Sequence, residues 1–172
     1  MGKLIYVSGG ARSGKSGYAQ RLVEASPGEL LYVATAAAGD DEMATRIALH
    51  QQQRGARWAT LEEPCEVLDK LPAAAQGKGG VLFDCVTLWL SNLMLRGDDD
   101  RKILEAVARL PGIVRDFSGS VVLVSNELGS GIVPENQLAR RFRDLAGSAN
   151  QQLAAAADQA WVVISGIPLQ LK

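Results

Sequence analysis

The run Gly9-Gly10-Ala11-Arg12-Ser13-Gly14-Lys15-Ser16 directly follows the apolar segment Leu4-Ile5-Tyr6-Val7, and it constrains the fold more than any other stretch. It matches G-x-x-x-x-G-K-[ST], a phosphate-binding loop (P-loop) that has to stand between a buried strand and a helix. Gly9, Gly10 and Gly14 permit a tight turn in which successive N–H groups point inward at phosphate oxygens. A helix starting near Gly14 adds the positive end of its dipole to the same place. Lys15 can then reach the β- and γ-phosphates, and the Ser16 hydroxyl is placed to ligate Mg²⁺. A nucleoside triphosphate is the expected ligand.

The rest of the chain repeats this alternation of short apolar runs with helical stretches. The reading gives strands at 3–8, Leu30 to Ala34, Trp58 to Leu61, Val81 to Phe83, Val121 to Val124 and Trp161 to Ile164, with an edge strand at Pro168 to Leu171. Helices are expected from Lys15 to Glu24, Asp41 to Arg54, Glu66 to Leu71, Leu88 to Leu95, Arg101 to Leu110 and Glu135 to Ala157. Gly-rich Ser125 to Pro134, holding Asn126 and Glu127, reads as an unusual loop. The strands lack polar alternation, as strands covered on both faces do. The expected fold is therefore α/β, a mostly parallel sheet with helices on both faces and right-handed crossovers.

At 172 residues the length fits one domain, residues 1–172. A net charge of −1 gives no electrostatic reason to propose nucleic acid or an anionic membrane as partner. No apolar run approaches the roughly 20 residues that span a bilayer, and the chain opens on a strand instead of a signal peptide, so a cytoplasmic location is expected. Cys65 and Cys85 have no partners at metal-ligand spacing and read as packing residues.

Asp84 closes an apolar strand, where P-loop proteins place the acid that holds the Mg²⁺ shell; an Asp there also suits the cap of the following turn. His50, the single histidine, shares a helix face with Arg46 and Arg54, four residues before and after it. Neutral imidazole is a competent nucleophile toward phosphorus, and flanking guanidinium groups suit an anion. The spacing is equally that of a partly exposed helix histidine packed beside Met43 and Ile47. Glu62, at a strand end, could bind a sugar hydroxyl or a metal.

Further blocks make the chain recognisable. Besides the P-loop, these are Asp41-Glu-Met-Ala-x-Arg-Ile47 with His50, Ser125-Asn-Glu-x-Gly-x-Gly-Ile-Val-Pro-Glu-Asn136, Asp144-x-Ala-Gly-x-x-Asn-Gln151 and Val163-x-Ser-Gly-Ile167. Together they resemble the bifunctional adenosylcobinamide kinase/adenosylcobinamide-phosphate guanylyltransferase family of cobalamin biosynthesis, over nearly the whole chain. The resemblance implies a RecA-like P-loop NTPase fold, a homotrimer and two reactions. Adenosylcobinamide is phosphorylated by ATP or GTP; GTP then guanylylates an enzyme histidine, and the GMP passes to adenosylcobinamide phosphate to give adenosylcobinamide-GDP. The family's histidine falls on His50. Its nucleotide contacts fall on Gly9, Gly10, Ala11, Arg12, Ser13, Gly14, Lys15 and Ser16, on Ala34, Thr35 and Ala36, on Gln51, Gln52, Gln53 and Arg54, and on Glu62 and Asp84, with Mg²⁺ at Ser16 and Asp84. P-loop architecture also hosts kinases of other small alcohols and nucleotide-sensing regulatory subunits.

Overall fold

The computed structural model describes residues 2–36 and 55–172, and places the opening strand near the middle of one sheet. Strand β1 (Lys3–Gly9) is buried after its first residue. It lies between β5 (Ser120–Asn126) and β6 (Gln159–Ile164). Beyond β5 come β4 (Gly80–Asp84), β2 (Leu30–Ala34) and β3 (Trp58–Glu62); beyond β6 comes β7 (Ile167–Gln170). Every pairing is parallel except that of β6 with β7, an antiparallel hairpin.

Alternation along each strand divides the core in two. Leu4 and Tyr6 of β1, Val81 and Phe83 of β4, and Val121 and Leu123 of β5 face one side. There they meet α2 (Val67–Ala74), α3 (Val86–Arg96), α4 (Asp100–Arg115) and α5 (Gln137–Ala156). Ile5 and Val7, Leu82, and Val122 and Val124 face the other side, onto Ala19 and Val23 of α1 (Lys15–Glu24). Helices cover both faces as the sequence implies, but unequally: among the described residues α1 alone covers its face.

Trp89 is the largest fully buried side chain. It donates from Nε1 to the Cys65 carbonyl at 3.0 Å and stands edge-on to Phe83 at 5.8 Å. Trp58 and Trp161 are half-buried on the α1 face, against Tyr32 and Tyr18.

Most elements fall where expected, and the differences have local causes. Helix α4 runs through Pro111 and Gly112 to Arg115, past the end at Leu110 that the sequence suggests. A proline inside a helix costs on the order of 3 kcal/mol. Fully buried Leu110 and Val114 lie one turn apart on the same stripe, and burying each contributes about 1.5–3 kcal/mol, which offsets it. Strand β5 continues two residues beyond Val124, through Ser125 and Asn126, whose polar side chains disguise it as loop. The helix expected from Asp41 to Arg54 lies outside the described residues.

Asp158, just ahead of β6, ties that edge to β1. Its Oδ2 accepts the Leu4 N–H at 2.8 Å, and Arg115 donates to both of its oxygens at 2.9 Å. The Leu4 N–H, and then Arg115, hold its carboxyl below the usual range. A carboxyl depressed by folding adds stability above its unfolded value, near 3.9, and loses that contribution as pH falls through the folded value. With the side chain 36% exposed, Asp158→Ala is expected to cost about 1–2 kcal/mol at pH 7. Urea unfolding should show that deficit shrinking below about pH 4; an equal deficit at pH 7 and pH 3 would contradict the assignment.

Candidate active site

The P-loop leaves β1 at Gly9 and closes on α1. Gly14 is the N-cap at φ +92° and Arg12 holds φ +55°, left-handed values that glycine adopts freely and that other residues adopt where structure is held under constraint. The turn is closed by Ser13 N–H on the Gly10 carbonyl at 3.2 Å. A β-carbon on Gly9 would stand 2.6 Å from the Val163 carbonyl, so glycine is required by the close approach of β6. The β6–β7 turn braces the loop from outside, with Gly166 N–H donating to the Ser13 carbonyl at 2.8 Å.

Lys15 is buried, and its Nζ donates to the neutral Gly10 carbonyl at 3.0 Å. Burial pulls its ammonium below the usual lysine value; the nearby Asp84 carboxylate opposes the shift without cancelling it. The Ser13 hydroxyl is buried and has no partner among the described residues. A buried cation on a neutral acceptor and an orphaned hydroxyl at a helix N-terminus form a cradle that an anion completes. Ser16 follows on the first turn of α1, half-buried, while Ala11 and Arg12 are exposed.

Asp84 ends β4, two strands from β1, and its Oδ2 accepts from the Tyr32 hydroxyl at 3.2 Å. The next peptide, Asp84–Cys85, is cis. Its surroundings account for Thr35: the hydroxyl donates to the Cys85 carbonyl at 2.7 Å and accepts the Cys85 N–H at 2.9 Å. Thr35 thus fastens the end of β2 to that of β4, with Ala34 buried before it and Ala36 half-buried after it. Burial first, and then Asp84, push the Cys85 thiol up to about 11, which makes it a packing residue.

Glu62 is exposed at the end of β3, four strands from β1, or about 19 Å at 4.8 Å per strand. It cannot share the P-loop's phosphates. Its neighbour Glu63 is buried instead, accepting the N–H groups of Cys65 and Glu66 and pairing with Lys70. His50, Gln51, Gln52, Gln53 and Arg54, with Arg46, lie outside the described residues. Among those described, no group of three or more His, Cys, Asp or Glu could hold a metal ion. Ser16 and Asp84 offer a hydroxyl and a carboxylate that could hold a divalent cation together with substrate phosphates.

Sequence reading missed a buried polar network behind the loop. Ser125 Oγ donates to Asn150 Oδ1 at 2.6 Å, so the Thr87 hydroxyl, 3.2 Å away, donates to Ser125. Thr87 Oγ1 accepts the Asn126 N–H at 2.8 Å, and Asn150 Nδ2 donates to the Asn126 carbonyl at 3.1 Å. The Ser-Asn pair at the end of an apolar run was its one sequence signal; Thr87 and Asn150 lie on distant helices.

The sheet order puts one strand, β5, between the P-loop strand and the strand bearing Asp84. That order and the loop define a P-loop NTPase of the RecA-like class. The model of the cobinamide kinase / cobinamide phosphate guanyltransferase family matches residues 5–171, and the chain belongs to this family. It is 42% identical to the bifunctional adenosylcobalamin biosynthesis protein CobU of Salmonella typhimurium, over 98% of this chain and 99% of that one. The Escherichia coli protein of the same name gives the same figures. The bifunctional adenosylcobalamin biosynthesis protein CobP of Pseudomonas aeruginosa is also 42% identical, over 96% of this chain and 95% of its own.

The opposition of burial and Asp84 at Lys15 can be tested without substrate. Asp84→Asn removes the carboxylate that supports the ammonium, so the Lys15 pKa is expected to fall further. Titration of the ¹³C-labelled lysine side chain by NMR reads this directly; an unchanged or raised value would show that Asp84 does not act on Lys15.

Proposed function

We propose that this protein phosphorylates adenosylcobinamide with ATP or GTP and then transfers GMP from GTP, through a GMP-histidine intermediate on His50, to form adenosylcobinamide-GDP in cobalamin biosynthesis. The observation that carries the reading is the family match over residues 5–171, read together with a phosphate cradle whose buried Lys15 has a neutral protein partner.

In the kinase half, the N–H groups of residues 9–16 and the Lys15 ammonium bind the β- and γ-phosphates. Preorganised donors cost little reorganisation when charge shifts along the phosphate chain. Mg²⁺, held by Ser16 and Asp84, would supply charge neutralisation on the phosphate oxygens. In the guanylyl half, neutral His50 attacks the α-phosphorus of GTP: an N–P bond forms, the bond to the bridging oxygen breaks and pyrophosphate leaves. The phosphate of adenosylcobinamide phosphate then displaces histidine from that phosphorus. Arg54 would pair with the phosphate oxygens, and Gln51, Gln52, Gln53, Ala34, Thr35, Ala36 and Glu62 would line the nucleotide from the β2–β3 side. Glu62 there suits a ribose hydroxyl, being too far from the P-loop for its phosphates. A cytoplasmic homotrimer is part of the reading; exposed Ile132, Val133 and Leu138 offer apolar surface for subunit contacts.

Incubation with Mg²⁺ and GTP labelled at the α-phosphate, followed by intact-mass analysis, tests the central step. An acid-labile GMP adduct is expected on the wild-type chain and absent from His50→Ala. GTP turnover with no adduct would remove the nucleotidyl-transfer half.

A further inference from the structure

The loop after β5 is the part of the site edge to which this function gives no task, although its root is firmly held. Three consecutive backbone groups there are taken up by elements far apart in the chain: Asn126 N–H by Thr87, Asn126 C=O by Asn150, and Glu127 N–H by the Gly9 carbonyl at 3.0 Å. Ser125 and Asn150 are buried in an otherwise apolar core. Thr87 and Asn150 satisfy the Asn126 backbone groups, and because they reach them from two separate helices they also fix the direction in which the chain leaves β5. What they fix is Glu127, the residue that steps off the strand beside the P-loop.

Position separates Glu127 from the other strand-end carboxylates. Glu62 is four strands from β1, Glu63 is capped and paired with Lys70, and Asp84, two strands away, faces Lys15. Glu127 directly follows the strand adjacent to β1, its N–H is bonded to the first residue of the P-loop, and it is exposed. Among the described residues its Oε1 accepts the Gly129 N–H at 2.6 Å, a turn that restrains the side chain. Its charge reaches Tyr6, where burial is the larger cause of a raised phenol and Glu127 adds to it. Tyr6 lies on the four-helix face, Lys15 at the start of α1 on the opposite one. In-line displacement brings the acceptor in opposite the leaving group, and Glu127, tied by its N–H to the Gly9 carbonyl, is the carboxylate at the end of the strand neighbouring the P-loop strand.

We propose that Glu127 is the general base of the phosphoryl-transfer half, and that Thr87 and Asn150 are positioning residues that aim it. The inference rests on the two-reaction reading above. The acceptor hydroxyl oxygen bonds to the γ-phosphorus as the bond to the β,γ-bridging oxygen breaks. The electrons of that bond leave with the nucleoside diphosphate, and the hydroxyl proton passes to the Glu127 carboxylate, which releases it to solvent. Guanylyl transfer makes no such demand, because its acceptor is an already ionised phosphate.

Both rates would be measured on the full chain with Mg²⁺: phosphorylation of adenosylcobinamide by γ-labelled ATP, and GMP transfer to adenosylcobinamide phosphate. Glu127→Gln keeps the acceptor for Gly129 and cannot take the proton. It is expected to lower kcat for phosphorylation by about 100-fold or more and abolish its rise with pH, while the KM for ATP and guanylyl transfer stay within about threefold. Glu127→Asp should keep the pH dependence at reduced kcat. Thr87→Val should lower kcat by about tenfold at unchanged KM, with recovery in Thr87→Ser. Wild-type phosphorylation in Glu127→Gln, equal loss of both reactions, or a flat pH profile in Glu127→Asp would overturn the assignment. If the wild-type chain forms neither product, the two-reaction reading itself fails; if it forms both and Glu127→Gln matches it, only the assignment falls.

Discussion

Where a parallel sheet stops, its last backbone N–H and C=O groups lose their ladder partners, and buried groups of this kind have to be satisfied. In this protein Thr35 does so for Cys85 beyond β4, and Thr87 and Asn150 do so for Asn126 at the end of β5. Gly9 does so for Glu127. Short polar side chains from three elements therefore set where the carboxyl edge of the sheet ends. The P-loop, Asp84 and Glu127 inherit their spacing from that edge. Unpaired donors there would cost about 1–3 kcal/mol each, so the edge has little freedom to drift.

The unequal covering of the sheet contributes to the same end. Four helices pack one face around Trp89, Phe83, Leu90, Leu110 and Leu153, all fully buried. The other face carries α1, whose first turn is part of the loop itself. The thick side supplies the bulk of the buried apolar area, and the thin side leaves Lys15 and Asp84 near one another at the rim. Bracing by Gly166 from the β6–β7 hairpin closes the loop's outer side, and a β-carbon on Gly14 would approach the Gly166 α-carbon to 3.3 Å. The hairpin is thus a structural part of the cradle.

Much of this was legible in the chain. The P-loop pattern identified the cradle, unalternating apolar runs identified a parallel sheet, and the blocks around residues 41–50 and 125–136 identified the family. Glu63 was not legible beside Glu62: neighbouring carboxylates at a strand end differ in which one turns inward, and packing against Lys70 and α2 settles that. The end that the sequence suggests for helix α4 falls short because Pro111 is a local signal, whereas the burial of Val114 that carries the helix past it is not.

The sequence by itself determined the elements, the sheet's parallel character and the chemistry of the loop, because each depends on residues within a few positions of one another. Tertiary structure alone decided that β5 lies between β1 and β4, and hence that Glu127 flanks the P-loop while Glu62 stands about 19 Å away at the usual strand spacing. It also brought Thr87, Ser125 and Asn150 into one network. Strand order and the meeting of distant helices arise from how whole faces pack, and no window of the chain encodes them.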